Sequence, residues 1–230
     1  MLLLALDTSA SVGAALHDGT TVLAMRSAHD PRRHAEVLMP FVTEVLADVG
    51  AVPRGVTAVA VGVGPGPFTG LRVGLVTART LGLALGVPVH GVCSLDALAA
   101  QALAEIGDVL GGDIVAATDA RRREVYWARY RRDGSALSRV DGPHVGAAAD
   151  VPAAGATCVG RGAELYRDAL PGPDGGPLDP SAAMVASLAA AALGAALGTE
   201  GLPGVLLPAE PLYLRRPDAT ELGARKRVLS

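Results

Sequence analysis

The sequence predicts a two-lobed α/β protein, and three observations predict it. Apolar runs of strand length alternate with longer stretches of helical periodicity. Two strands far apart in the chain each end in an aspartate, at Leu4-Ala5-Leu6-Asp7-Thr8 and at Val115-Ala116-Ala117-Thr118-Asp119. Between a strand and a helix of the first half lies a loop dense in glycine and proline, Gly64-Pro65-Gly66-Pro67-Phe68-Thr69-Gly70. Strands apolar on both faces that alternate with helices in the first half point to a covered sheet with many parallel strands, and the fold class expected is two lobes, each a mixed sheet with flanking helices.

The chain has 230 residues, half of them apolar, which is ample for a buried core and excludes disorder. The hydrophobic run after Met1 stops at Asp7, with no basic flank before it and no cleavage pattern after it, so it predicts a buried strand rather than a leader. The uncharged stretch from Pro180 to Thr199 is mostly alanine with glycine interruptions, and predicts a buried helix rather than a membrane span. Cys93 and Cys158 lie far apart and form no Cys-x-x-Cys, which fits reduced thiols and a cytoplasmic location. The net charge of −3 argues against a chain that holds nucleic acid by itself.

The first lobe, 1–106, opens as a meander of strands at Leu2 to Leu6, Val12 to His17 and Thr21 to Ser27, with Asp18-Gly19 as the hairpin turn. A helix is predicted after Asp30-Pro31, where aspartate caps and proline takes the first position. Leu38, Phe41, Val42, Val45, Leu46 and Val49 follow its three–four spacing, Gly50 ends it, and Pro40 predicts a kink. The strand Thr57 to Val63 runs into the Gly/Pro loop. A helix over about Thr69 to Leu85 follows, capped by Thr69 and closed by Gly86. Strand Val87 to Val92 and helix Ser94 to Glu105 complete the lobe.

The second lobe, 107–207, is predicted to carry strands at Ile114 to Thr118, Glu124 to Tyr130, Ala136 to Val140 and Thr157 to Val159. Asp141 to Pro152 reads as turns. Helices are predicted near Ala163 to Ala169 and Ser181 to Leu197. The remainder, 208–230, forms a tail.

An aspartate ending a strand, as at Asp7-Thr8-Ser9, can hold hydrated Mg²⁺ or organise a phosphate-binding turn. The same residues can equally make the turn through side-chain bonds to backbone. Paired with Asp119, Asp7 argues for a cleft between lobes. The Gly/Pro loop at a helix N-terminus can receive an anion, but no lysine follows its last glycine, so it is not a Walker loop. Gly70, Gly74, Ala78 and Gly82 recur every four residues along the following helix. They suit close packing inside the lobe or a docking face for a partner, and spacing alone leaves both open. Arg121 to Arg132 combines six arginines with three aromatics, a composition that suits nucleic acid. Its two-residue alternation fits a strand with a wet arginine face better. Gly160-Arg161-Gly162 reads as a turn or as an approach to an adenine-type ligand. The five histidines offer no i, i+4 pair for a metal.

The stretch Gly64-Pro65-Gly66-Pro67-Phe68-Thr69-Gly70-Leu71-Arg72-Val73-Gly74 resembles the hallmark of the TsaB family, formerly called YeaZ. Leu6-Asp7-Thr8-Ser9, His34 to Pro40, Val92 to Leu98, Asp119-Ala120-Arg121 with Glu124-Val125-Tyr126, and Pro211 to Arg215 agree in order, so the resemblance spans nearly the whole chain. It implies a two-lobed actin-like, sugar-kinase-like fold. It further implies a non-catalytic subunit that works with TsaD and TsaE to place threonylcarbamoyl on adenosine 37 of tRNAs reading codons that begin with A.

The resemblance also implies that the helix carrying His34, Glu36 and Leu38, and the helix carrying Gly70, Arg72, Gly74, Ala78 and Gly82, form the contact with TsaD or with a second copy. No cofactor is expected for the isolated chain, ATP and Mg²⁺ belonging to the complex, and tRNA is touched only through it. Asp7, Thr8 and Asp119 are then a vestigial cofactor site. TsaD carries metal through a His-x-x-x-His pair whose places fall here near Ser94 and Leu98, and leucine cannot coordinate a metal. Asp119-Ala120-Arg121 departs from the Asp-x-Gly of a working phosphate loop. The alternatives are an autonomous actin-like ATPase or kinase using Asp7 and Asp119, and a metallopeptidase.

Overall fold

The computed structural model describes residues 1–29, 34–134, 136–196 and 206–215. The first sheet is built from β1 (Leu3–Asp7), β2 (Val12–His17), β3 (Val22–Ala28), β4 (Ala58–Gly62) and β5 (Val89–Val92), with the short β10 (Leu206–Leu207) at its edge. Its spatial order is β10-β5-β4-β1-β2-β3. The second sheet has the order β8-β7-β6-β9, from β6 (Asp113–Asp119), β7 (Glu124–Asp133), β8 (Ala136–Ala147) and β9 (Ala156–Val159).

The two sheets repeat one plan. β1 pairs antiparallel with β2 and parallel with β4, and β6 pairs antiparallel with β7 and parallel with β9. Each Asp-terminated strand therefore sits between a hairpin partner and a parallel partner. Both sheets are mixed, as expected, because each lobe opens with a hairpin.

Alternation along β1 explains why both its faces are apolar. Leu4 and Leu6 pack with residues of α1 (His34–Asp48) and α2 (Phe68–Leu85), while Leu3 and Ala5 pack against α5 (Ala182–Ala196). α5 is largely alanine where it meets Ala5, Ala15, Ala58 and Ala60, so small residues on both sides let helix and sheet approach closely. α3 (Ser94–Ile106) lies between the lobes, packing Leu95, Leu98 and Ala102 onto Ile114, Ala116 and Ala128 of the second sheet. The other face of that sheet is covered by α4 (Arg161–Leu165) and by Leu170.

Most local signals hold. Asp18 Oδ1 accepts the amides of Thr20 and Thr21, both at 2.7 Å, and closes the β2–β3 turn. Gly50 and Gly86 end α1 and α2 with φ of 65° and 69°. The start of α1 at Asp30-Pro31 lies outside the described residues. Pro40 is accommodated inside α1.

Four expectations need correction. α2 begins one residue earlier than predicted, with Pro67 at the N-cap, so Thr69 is a helical residue rather than the cap. β8 does not stop at Val140 but continues to Ala147. The Asp141-Gly142-Pro143 segment is absorbed as a ladder irregularity opposite Trp127 and Arg129, where Gly142 has a φ of 92°. The short helix after Gly160 is Arg161–Leu165 rather than Ala163 to Ala169. Finally, α5 and β10 fall within the range 107–207 assigned to the second lobe, yet α5 covers the first sheet and β10 extends it. The chain crosses back after the second lobe, and no local pattern announces that return.

Candidate functional site

At the carboxyl end of β1, Asp7 is buried with every near neighbour in place. Its Oδ1 accepts the amide and hydroxyl of Ser9, at 2.8 and 2.7 Å, and its Oδ2 accepts the hydroxyl of Ser94 at 2.8 Å. Ser94 Oγ in turn receives the amide of Gly64 at 3.2 Å. A Cβ at Gly62 would fall on Asp7 Oδ2, so β4 carries glycine where the carboxylate crosses it. Burial raises the Asp7 pKa against the opposing effect of these bonds. The carboxylate thus ties β1 to the start of α3 and to the Gly/Pro loop. Ser94, which the sequence placed at the start of a helix and near a position of the TsaD metal pair, is the joint of that network.

Thr8 faces α2. Its hydroxyl donates to the carbonyl of Gly70 at 2.8 Å and accepts the amide of Gly74 at 3.1 Å. A Cβ at Gly70 would stand 2.7 Å from Thr8 O and 3.1 Å from His34 Nδ1. The same addition at Gly74 would stand 2.5 Å from Thr8 Oγ1, and at Gly82 it would strike the Val89 side chain. The small-residue stripe is therefore spent on packing within the lobe. Of the eight residues named for a partner contact, His34, Leu38, Gly70, Gly74, Ala78 and Gly82 are buried, and only Glu36 and Arg72 are exposed. The outward face of α2 carries Arg72, Val76, Arg79, Thr80 and Leu83, with Val76 62% and Leu83 86% exposed.

Arg72 also turns onto the chain itself. Its guanidinium lies 3.7 Å over the Phe68 ring, which stacks on Tyr213 at 5.0 Å, and its Nε donates to Tyr213 Oη at 3.2 Å. Leu212 N donates to Val63 O at 2.9 Å, so residues 211–215 are strapped across the end of the first sheet. The strap reaches the second lobe, where Arg215 Nη1 donates to Ala120 O at 3.0 Å and pairs with Glu124.

In the second lobe Asp119 accepts the amide of Arg121 at 2.8 Å and meets its guanidinium at 3.3 Å. Gly160 and Gly162 bring α4 onto Ala117 of β6, where any Cβ would collide, so this Gly-x-Gly serves a close turn. Arg161 is held by Asp179 through Nε at 2.9 Å and Nη2 at 2.6 Å, and Asp179 also meets His29 Nδ1 at 3.0 Å. Asp179 adds a repulsive field at Asp7, and Asp119 an attractive one at Arg161. The charges of this pair are thus felt at both lobes. A second clasp between the lobes joins Asp96 of α3 to Tyr130 Oη at 2.7 Å and to Arg139 Nη1 at 3.0 Å. Sequence reasoning missed both clasps, since their partners come together only when the lobes pack.

Among the described residues no group of three His, Cys, Asp or Glu is placed to hold a metal ion, and no helix is long and apolar enough to cross a membrane.

The matching family model is described as TsaD, tRNA N6-adenosine threonylcarbamoyltransferase, and spans residues 22–167. The solved structure of YeaZ from Pseudomonas aeruginosa superposes with a TM-score of 0.76 at 32% identity, covering 93% of this chain and 99% of that one. The chain belongs to the TsaB (YeaZ) family. It is 37% identical over 142 residues to the tRNA threonylcarbamoyladenosine biosynthesis protein TsaB of Escherichia coli, covering 60% of this chain and 58% of that protein. A Mycobacterium tuberculosis protein is 44% identical over 222 residues, 95% of this chain and 94% of its own length. The duplicated sheets, each centred on an Asp-terminated strand, are the actin-like arrangement expected of a TsaB protein.

Proposed function

We propose that this TsaB-family chain is a non-catalytic subunit of the machinery that places threonylcarbamoyl on adenosine 37 of tRNAs reading codons that begin with A. It binds TsaD, which performs the transfer, and acts in a complex with TsaE, in the cytoplasm. The observation that carries the reading is the closure of the Asp7 site. Both carboxylate oxygens are engaged inside the chain and the Thr8 hydroxyl is bonded to α2, so Mg²⁺ or a phosphate would have to compete with bonds that already hold the lobe together. The autonomous ATPase or kinase reading has nothing comparable in its favour.

The TsaD contact is assigned to the outward faces of α1 and α2, through Glu36, Arg72, Val76 and Leu83. The buried members of the original set act indirectly, by holding the two helices to the sheet. In the free chain the same face suits a second copy. ATP and Mg²⁺ are handled by the assembled complex, and tRNA is reached through TsaD.

The test is to mix the purified chain with TsaD at micromolar concentration, measure the mass of the product, and assay threonine incorporation into tRNA. A heterodimer is expected, with neither protein active alone. Failure to associate, or ATP hydrolysis by the chain alone that disappears in Asp7→Ala, sinks the proposal.

A further inference from the structure

The strap over residues 206–215 is fixed to the first lobe by backbone bonds and by burial. β10 pairs antiparallel with β5, where a Cβ at Gly91 would stand 2.5 Å from Pro208 O, and Leu212 N donates to Val63 O at 2.9 Å. Leu207 and Leu212 pack against the core beneath α1 and α2 and also against the core between α3 and the second sheet, which Leu214 joins. From this fixed middle, Tyr213 and Arg215 reach different elements.

Tyr213 meets the start of α2, with its ring on Phe68 and its hydroxyl on Arg72. Two residues on, Arg215 holds the β6–β7 turn of the second lobe through Ala120 O and Glu124. That turn is closed by the amide of Ala120 on Glu124 O at 3.0 Å and by the amide of Glu124 on Arg121 O at 2.9 Å. The two ends differ in strength. Tyr213 is 38% exposed and depends on an exposed arginine, whose cation–π contact and hydrogen bond are individually weak in water. Arg215 is more sheltered and joins a carboxylate as well as a carbonyl, the stronger, charge-assisted kind of bond. A competitor for Arg72 therefore opens the Tyr213 end first. Arg72 shares the outward face of α2 with Val76 and Leu83, so a body seated on that face meets it.

We infer that the strap is a mechanical link between the outer face of α2 and the β6–β7 turn. A partner that draws Arg72 away from Tyr213 frees the strap at residue 213, and the motion passes through Arg215 to loosen the turn. That partner is the TsaD of the subunit reading above, on which this step rests; the link within the chain stands apart from it.

Amide hydrogen exchange on the full chain tests this at Ala120 and Glu124, with Ala15 of β2, paired on both sides, as the reference. In the chain alone, Arg72→Ala and Tyr213→Ala should each speed exchange at Ala120 and Glu124 about tenfold and leave Ala15 unchanged. In an Arg215→Gln background, where the turn is already released, neither change should add to the effect. Unaltered exchange at Ala120 and Glu124, equal acceleration at Ala15, or full additivity with Arg215→Gln overturns the link. Added TsaD should speed exchange at the same two amides in the parent chain and not in Arg215→Gln. TsaD that binds the parent without altering them overturns the transmission from α2. TsaD that fails to bind sinks the subunit reading instead, and the isolated chain still decides the link.

Discussion

The hydroxyl of Thr8 fills the notch left by Gly74: it accepts that residue's amide at 3.1 Å, and a Cβ there would stand 2.5 Å from its oxygen. Gly74→Ala must displace either the threonine or the helix, and should destabilise the fold by about 1–3 kcal/mol in urea denaturation. Thr8→Ala removes the obstructing oxygen, so the double variant should cost less than the sum of the two single changes. Strict additivity would show that the two residues are not in contact.

Asp7 takes up its proton at a higher pH in the fold than in the unfolded chain, because burial raises its pKa. The folded state therefore binds more protons in the interval just above the ordinary carboxylate range. The contribution of Asp7 to stability falls as pH rises through that interval and is level above it. Thermal midpoints measured across acid pH should show this decline in the parent chain and a flatter profile in Asp7→Asn. Parallel profiles would contradict the assignment.

Val76 and Leu83 stand on the solvent side of α2 and are largely exposed. Val76→Glu and Leu83→Glu should leave stability within about 0.5 kcal/mol of the parent. In pull-down or mass measurement they should weaken the association with TsaD. Gly74→Arg cannot make this test, because it disrupts the lobe before it reaches any partner.

The partly buried clasp at Asp96 predicts a stability effect. Tyr130→Phe removes one of its donors and leaves a partly buried carboxylate less well satisfied. A loss of about 1–3 kcal/mol is expected in chemical denaturation. Cost-free substitution would show that water replaces the phenol.

Both cysteines are buried, and burial pushes the Cys93 thiol up to about 12 and the Cys158 thiol up to about 11. Little thiolate forms at neutral pH, so labelling by a disulfide reagent should follow the unfolding rate rather than reagent concentration. Rapid stoichiometric labelling of the native chain would refute this.

Much of the fold was legible because its signals are local. Asp18-Gly19, Gly50 and Gly86 mark chain reversals and helix ends by backbone requirements that act within a few residues. The duplicated strand–Asp pattern announced two related sheets, since a strand buried on both faces has few other places to go. The four-residue stripe of α2 was equally plain as a pattern, but not in its use. Spacing shows that one face is flat, and only the position of Thr8, His34 and Val89 shows that the face is already filled.

The sequence by itself determined the family, the order of nearly all strands and helices, and the importance of the Gly/Pro loop. These follow from periodicity, turn chemistry and motif order. Tertiary structure alone decided which side of α2 faces solvent, that Asp7 is closed by Ser94, and that Arg121 and Arg215 share one cleft. Such facts depend on contacts between residues tens to many tens of positions apart. Local propensity carries no record of them, because the free energy that selects them arises only once the sheets, the α3 spacer and the C-terminal strap are packed together.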